Sequence, residues 1–196
     1  MLGASMRRIA LAGALAVASL AALPALAGDI LEIKVAGVAN GTVDIQLFRD
    51  IAPHHVDRIE ELAKAGAYDG VVFHRVIEGF MAQTGDVEYG KRDGGNLERA
   101  GIGGSDKPNL KAEFSDRRFE RGVVGMARGR GNDTANSQFF IMFDSAEYLN
   151  GKYTVVGKVI SGMDVVDKIK KGSSAMNGAV RAPMDYMEKV TVKDEM

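Results

Sequence analysis

The sequence predicts a mainly β protein, an antiparallel barrel or sandwich carrying a few helices. Three observations lead there. Short runs rich in β-branched and aromatic residues, "VVFHRVI", "FMAQTG", "GVVGMAR", "QFFIMF" and "YTVVGKVI", are separated by Gly, Asn and Asp. Strand and helix patterns do not alternate regularly, which argues against a parallel α/β sheet. The 24 glycines, against four prolines, call for many turns and close backbone approaches.

Each element has its own signal. In "DILEIKVAGVANGTVDIQLF", Asn40-Gly41 stands between two strand-like runs and predicts a hairpin closed by a type I′ turn. Val43, Ile45 and Leu47 alternate with Asp44 and Gln46, the period of a half-buried strand. "APHHVDRIEELAKAGAYDG" changes period: Val56, Ile59, Leu62 and Ala63 share a helical face, Pro53 suits the first turn and Gly66 the end. The strand pattern resumes after Tyr68. "GMDVVDKIKKG" predicts a second short helix and "MDYMEKVTVKD" a closing strand. From Val87 to Asp106 the period is lost in a long, charged, glycine-rich loop, expected to be functional or mobile.

The length of 196 residues suits one domain with a sizeable core. A net charge of −1 gives no push toward nucleic acid. Residues 1–27 differ from the rest: Arg7 and Arg8 precede the uncharged "IALAGALAVASLAALP", and Ala25-Leu26-Ala27 supplies small residues for a signal peptidase. The apolar run is somewhat short of the ~20 residues that span a bilayer. The expectation is therefore an export signal cleaved after Ala27, with residues 28–196 as one domain, no membrane association after cleavage, and a periplasmic location. With no Cys, disulfides are excluded.

The chemistry-bearing residues narrow the function by elimination. His54 and His55 are adjacent and His74 is isolated, so none has the i, i+4 helical spacing of a zinc pair, and no metal site is expected. "GRGNDTANS" lacks the Gly-Lys-Ser/Thr ending of a phosphate loop and reads as a polar surface loop. No G-x-S-x-G elbow offers a nucleophile. What remains is an apolar surface dotted with placed polar groups. Strand alternation puts Gln138, Phe140 and Met142 on one face, Met81 and Gln83 on another, and Phe73 with Arg75 on a third. Arg is rarely buried without a partner, so Arg75 in an apolar run needs a reason.

The strings "FHRVIEGFMAQTGD", "GVVGMAR", "NSQFFIMF" and "YLNGKYTVVGKVISGMDVVDKI" resemble, in order, the cyclophilins, which are peptidyl-prolyl cis-trans isomerases. The likeness runs from about Ile30 to Val192. It implies a closed eight-stranded antiparallel barrel capped by two helices. It also implies Arg75 and Gln83 as the catalytic pair, and Phe80, Met81, Phe140 and Leu149 as a proline pocket. Ala127, Arg128 and Gln138 match the groove beside the peptide, with Tyr148 and Tyr153 as aromatic walls. Tyr148 stands where many eukaryotic members carry a Trp used in binding cyclosporin, so weak cyclosporin binding is expected, and a tight complex in calorimetry would contradict it. Arg128 replaces an Asn and Tyr153 a His of the family pattern. Proline-containing peptides and unfolded segments are the implied partners, no cofactor is implied, and a monomer is expected.

Overall fold

The computed structural model describes residues 29–193, so the predicted leader, residues 1–27, lies outside the described residues. Strands β1 (Ile30–Ala36) and β2 (Gly41–Leu47) form the expected hairpin, and Val43, Ile45 and Leu47 face the core. Its turn is not the predicted one. Four residues, 37–40, connect the strands, and Asn40 keeps a negative φ. The loop is drawn inward instead: Ala39 is fully buried and its N–H donates to Asp185 Oδ1 at 2.9 Å, while Asn40 Nδ2 closes the turn on Gly37 O at 2.7 Å. A tertiary contact from 146 residues away has overridden the local turn preference.

Helix α1 (Pro53–Lys64) buries Val56, Ile59, Leu62 and Ala63 as its periodicity predicts, and lies against β9. Ala52 at its N-cap offers no side chain to the first free N–H groups. Glu113 supplies the cap from elsewhere, accepting the His54 and His55 N–H groups at 3.2 and 3.1 Å and meeting His55 Nδ1 at 2.6 Å. Glu113 thus partners one ring nitrogen of the fully buried His55, whose Nε2 has no hydrogen-bond partner among the described residues.

The run "VVFHRVI" is not one strand. It splits into β3 (Val71–Val72) and β4 (Arg75–Ile77) around Phe73-His74, so Phe73 and Arg75 do not share one strand face: Phe73 enters the core and Arg75 stays half-exposed. Strands β5 (Met81–Thr84), β6 (Val123–Met126), β7 (Phe139–Met142), β8 (Val155–Ser161) and β9 (Tyr186–Lys193) follow, with the short helix α2 (Met163–Lys168) against β2. All nine strands form one antiparallel sheet in the order β3-β9-β1-β2-β8-β6-β7-β5-β4.

The expected closed eight-stranded barrel is thus corrected to an open nine-stranded sheet. The ninth strand arises from the break at Phe73-His74. The two edge strands are consecutive in the chain, so the sheet curls back toward its own edge and the covalent chain, not a hydrogen-bonded ladder, spans the gap. Each edge is covered by a loop. Val72 N donates to Gly90 O (2.8 Å) on one side; Val76 N donates to Gly178 O (2.8 Å) and Val76 O accepts from Gly172 N (2.9 Å) on the other.

Strand alternation divides the apolar side chains between two clusters. Phe139 and Ile141 of β7 join the larger one, which unites β1, β2 and both helices. Phe140 and Met142 join a smaller one with Met81, Phe119, Val123, Ala146, Leu149 and Val155, as the alternation in "QFFIMF" predicts. The long loop is held rather than free. The buried Asp86 carboxylate accepts four backbone N–H groups: Glu88 (3.1 Å) and Tyr89 (2.9 Å) on Oδ1, Gly101 (2.7 Å) and Gly103 (3.0 Å) on Oδ2.

Candidate active site

The site grows from the second, smaller cluster. Antiparallel register sets Arg75 of β4 directly opposite Gln83 of β5, and Gln83 opposite Phe140 of β7. Three neighbouring strands thus deliver a cation, an amide and an aromatic ring to one face. Phe140 is backed by Phe119, stacked at 5.7 Å between ring centres, and meets Tyr153 edge-on at 6.0 Å. Gly125 of β6 permits this: a Cβ there would lie 2.6 Å from both Phe119 Cε1 and Phe140 Cζ.

The result is a pocket of about 240 Å³ lined by Arg75, Phe80, Met81, Gln83, Ala127, Arg128, Phe140, Tyr148, Leu149 and Tyr153. Gln138, the remaining sequence-derived candidate, lines an adjoining groove of about 600 Å³ that shares Gln83, Ala127 and Arg128 with the pocket. Met81, Phe140 and Leu149 are buried; Tyr148 is 62% exposed at the rim, its ring 5.9 Å from that of Phe80.

A hydrogen-bonded chain of amides fixes the polar wall. Arg75 Nη1 donates to Gln83 Oε1 (3.1 Å), Gln83 Nε2 to Gln138 Oε1 (2.9 Å), and Gln138 Nε2 to Gly103 O (2.8 Å). Each link sets the orientation of the next amide. Because the Asp86 carboxylate also holds Gly103 N, the chain ends on a fixed support.

Asn177 completes the arginine's seat, and the sequence reading missed it. Its carbonyl accepts from Arg75 Nε and its Oδ1 from Arg75 Nη2, both at 3.0 Å. Asn177 adopts left-handed backbone angles (φ 52°, ψ 39°), which Asn tolerates better than most residues. The Asn177-Gly178 dipeptide was the available signal, but it reads only as a turn.

These contacts use Nε–H and one hydrogen on each Nη; the second Nη1 hydrogen faces Met81 Sδ, with N and S 3.9 Å apart, and one Nη2 hydrogen remains unused in a residue that lines the pocket. Among the described residues no carboxylate pairs with Arg75, and burial works against its charge. Beside it, His74 is buried with neither ring nitrogen hydrogen-bonded among the described residues. Burial pushes its pKa down to about 4, against the opposing pull of Asp86, while Arg75 adds to the lowering.

A largely apolar pocket with the rigidly seated Arg75 guanidinium in its wall, and that of Arg128 beside it, defines a receptor for a small apolar group flanked by a hydrogen-bond acceptor. Comparison with known proteins agrees. The family model "Cyclophilin type peptidyl-prolyl cis-trans isomerase/CLD" matches residues 30–192. A Brucella suis protein named a probable peptidyl-prolyl cis-trans isomerase is 56% identical over 170 residues, 86% of each chain. A Helicobacter pylori peptidyl-prolyl cis-trans isomerase is 41% identical over 135 residues, 68% of this chain and 77% of that one. A Cryptosporidium parvum cyclophilin, crystallised in the presence of the dipeptide Ala-Pro, shares the fold with a TM-score of 0.69 at 23% identity, covering 85% of this chain and 99% of that one. The chain belongs to the cyclophilin-type peptidyl-prolyl cis-trans isomerase family, enzymes that the sequence strings had indicated.

Proposed function

We propose that the chain accelerates rotation about X-Pro peptide bonds of exported proteins, with Arg75 as the transition-state donor and no covalent intermediate. The carrying observation is the Arg75 guanidinium, seated by Asn177 and Gln83, with no carboxylate partner among the described residues, in the wall of an apolar pocket. Rotation costs ~18–20 kcal/mol because amide resonance must be broken. At the twisted geometry the proline nitrogen regains its lone pair and becomes a hydrogen-bond acceptor. In the planar ground state it is a poor one. A donor held at that nitrogen therefore binds the transition state better than the substrate, which lowers the barrier. Met81, Phe140 and Leu149 exclude water from the ring's seat and strengthen that interaction. Each ~1.4 kcal/mol gained this way is about tenfold in rate.

Exchange spectroscopy on a short X-Pro peptide tests this. Wild type should speed cis-trans exchange, and Arg75→Ala should bind the peptide with exchange slowed at least about a hundredfold relative to wild type, about 2.7 kcal/mol. A variant that binds and still turns over at the wild-type rate would remove Arg75 from the chemistry. Wild type that binds without speeding exchange would make the pocket a recognition site only.

The export part of the reading rests on residues 1–27, and the protein is expected to act as a monomer. Uncatalysed isomerisation takes tens to hundreds of seconds, slow enough to limit folding of newly exported chains. Mass spectrometry of protein from the periplasmic fraction should find a chain starting at Gly28. Full-length protein confined to the cytoplasm would reject export.

A further inference from the structure

The charged side chains lining the pocket and its adjoining groove are all cations: Arg75, Arg128 and Lys107. Among the described residues no Asp or Glu lines either cavity, in a chain whose formal net charge is −1. Lys107 is paired with Glu61 at 2.6 Å. Glu88, which touches the same loop at Gly104 N at 3.4 Å, and Asp106 line a neighbouring cavity that shares Gly104 and Ser105 with the groove but not Arg128. Arg128, which lines both cavities, has no carboxylate partner among the described residues.

Arg128 is also held in place. Its Nε and Nη2 donate to Lys152 O at 3.2 and 2.9 Å, and Nη1 to Gly129 O at 3.0 Å. The guanidinium lies 4.4 Å from the Tyr153 ring centre. Carbonyl dipoles and an aromatic face orient the group without cancelling its charge, and one Nη2 hydrogen remains unused. A cation fixed in this way attracts an anion without first having to freeze a flexible side chain.

We infer that Arg128 is a specificity residue that makes this isomerase favour substrates with an acidic residue close to the proline. The inference rests on the isomerase reading and adds substrate choice to it. The peptide segment beside a proline seated in the smaller pocket runs past Ala127 and Arg128 into the groove, because those residues form the shared wall. A carboxylate there meets positive potential; a lysine meets repulsion.

The test is a peptide series with Glu, Gln or Lys scanned through the two positions on either side of the proline. Catalysed exchange is read as kcat/KM at low salt. At one or more positions Glu should exceed Lys by about three- to tenfold, with Gln between, and the ratio should shrink in 0.5 M salt, where the Debye length falls to about 4 Å. The ratio should collapse in Arg128→Gln and persist in Arg128→Lys, whatever the absolute rate of either variant. A wild-type ratio near one at every position, or one unchanged in Arg128→Gln, overturns the inference while leaving the isomerase reading intact. Failure to speed exchange of any peptide overturns both.

Discussion

Arg75 is fastened from two directions, by an amide eight residues away and by an asparagine 102 residues away. The near partner was legible in the sequence, because strand alternation and the family strings both drew attention to Gln83. The distant one was not: nothing local to "SSAMNG" indicates that its turn is pressed against a cation on β4. Asn177→Gly keeps the left-handed backbone and removes only the side-chain acceptor. It should lower kcat by about three- to tenfold, equivalent to about 0.7–1.4 kcal/mol of lost donor positioning, with KM nearly unchanged and only a small fall in melting temperature, since water can reach the exposed side of Arg75 and replace the lost acceptor. A drop in melting temperature matching the loss of activity would instead make Asn177 a folding residue.

At the scale of elements, periodicity worked where burial is one-sided. It found β2, α1 and the two faces of β7, because apolar side chains there answer to one local core. It failed where a distant polar group decides the backbone. The 37–40 turn follows Asp185, and the 87–106 loop follows Asp86. A buried carboxylate that accepts four N–H groups replaces the ladder the loop lacks. Asp86→Ala should leave those donors without a partner and cost about 2–4 kcal/mol in urea unfolding. Hydrogen exchange of the Glu88, Tyr89, Gly101 and Gly103 amides should quicken well before that of the β7 amides. Uniform loss of protection across the molecule would show that the loop and the sheet unfold as one unit.

For the whole molecule, the buried histidine sets a dependence on acid. The folded state holds His74 neutral down to about pH 4, whereas the unfolded chain protonates near 6.5. Below 6.5 the unfolded state binds the extra proton, so stability falls as pH drops toward 4 and this contribution levels off below it. The size is about 3 kcal/mol, and His55, lowered by burial in the same direction, adds to it. His74→Leu should flatten the loss of stability between pH 7 and pH 5 in denaturant titrations; an unchanged slope would mean that other groups carry it. The covered edges of the open sheet have a further consequence. In the folding role proposed above, unfolded chains would present strands seeking a partner, and an exposed edge would let them add on and seed aggregates. Here β3 offers two residues and β4 three, each already bonded to a loop. In that proposed role the molecule would hold a chain by its side chains while offering that chain's backbone no template to grow on.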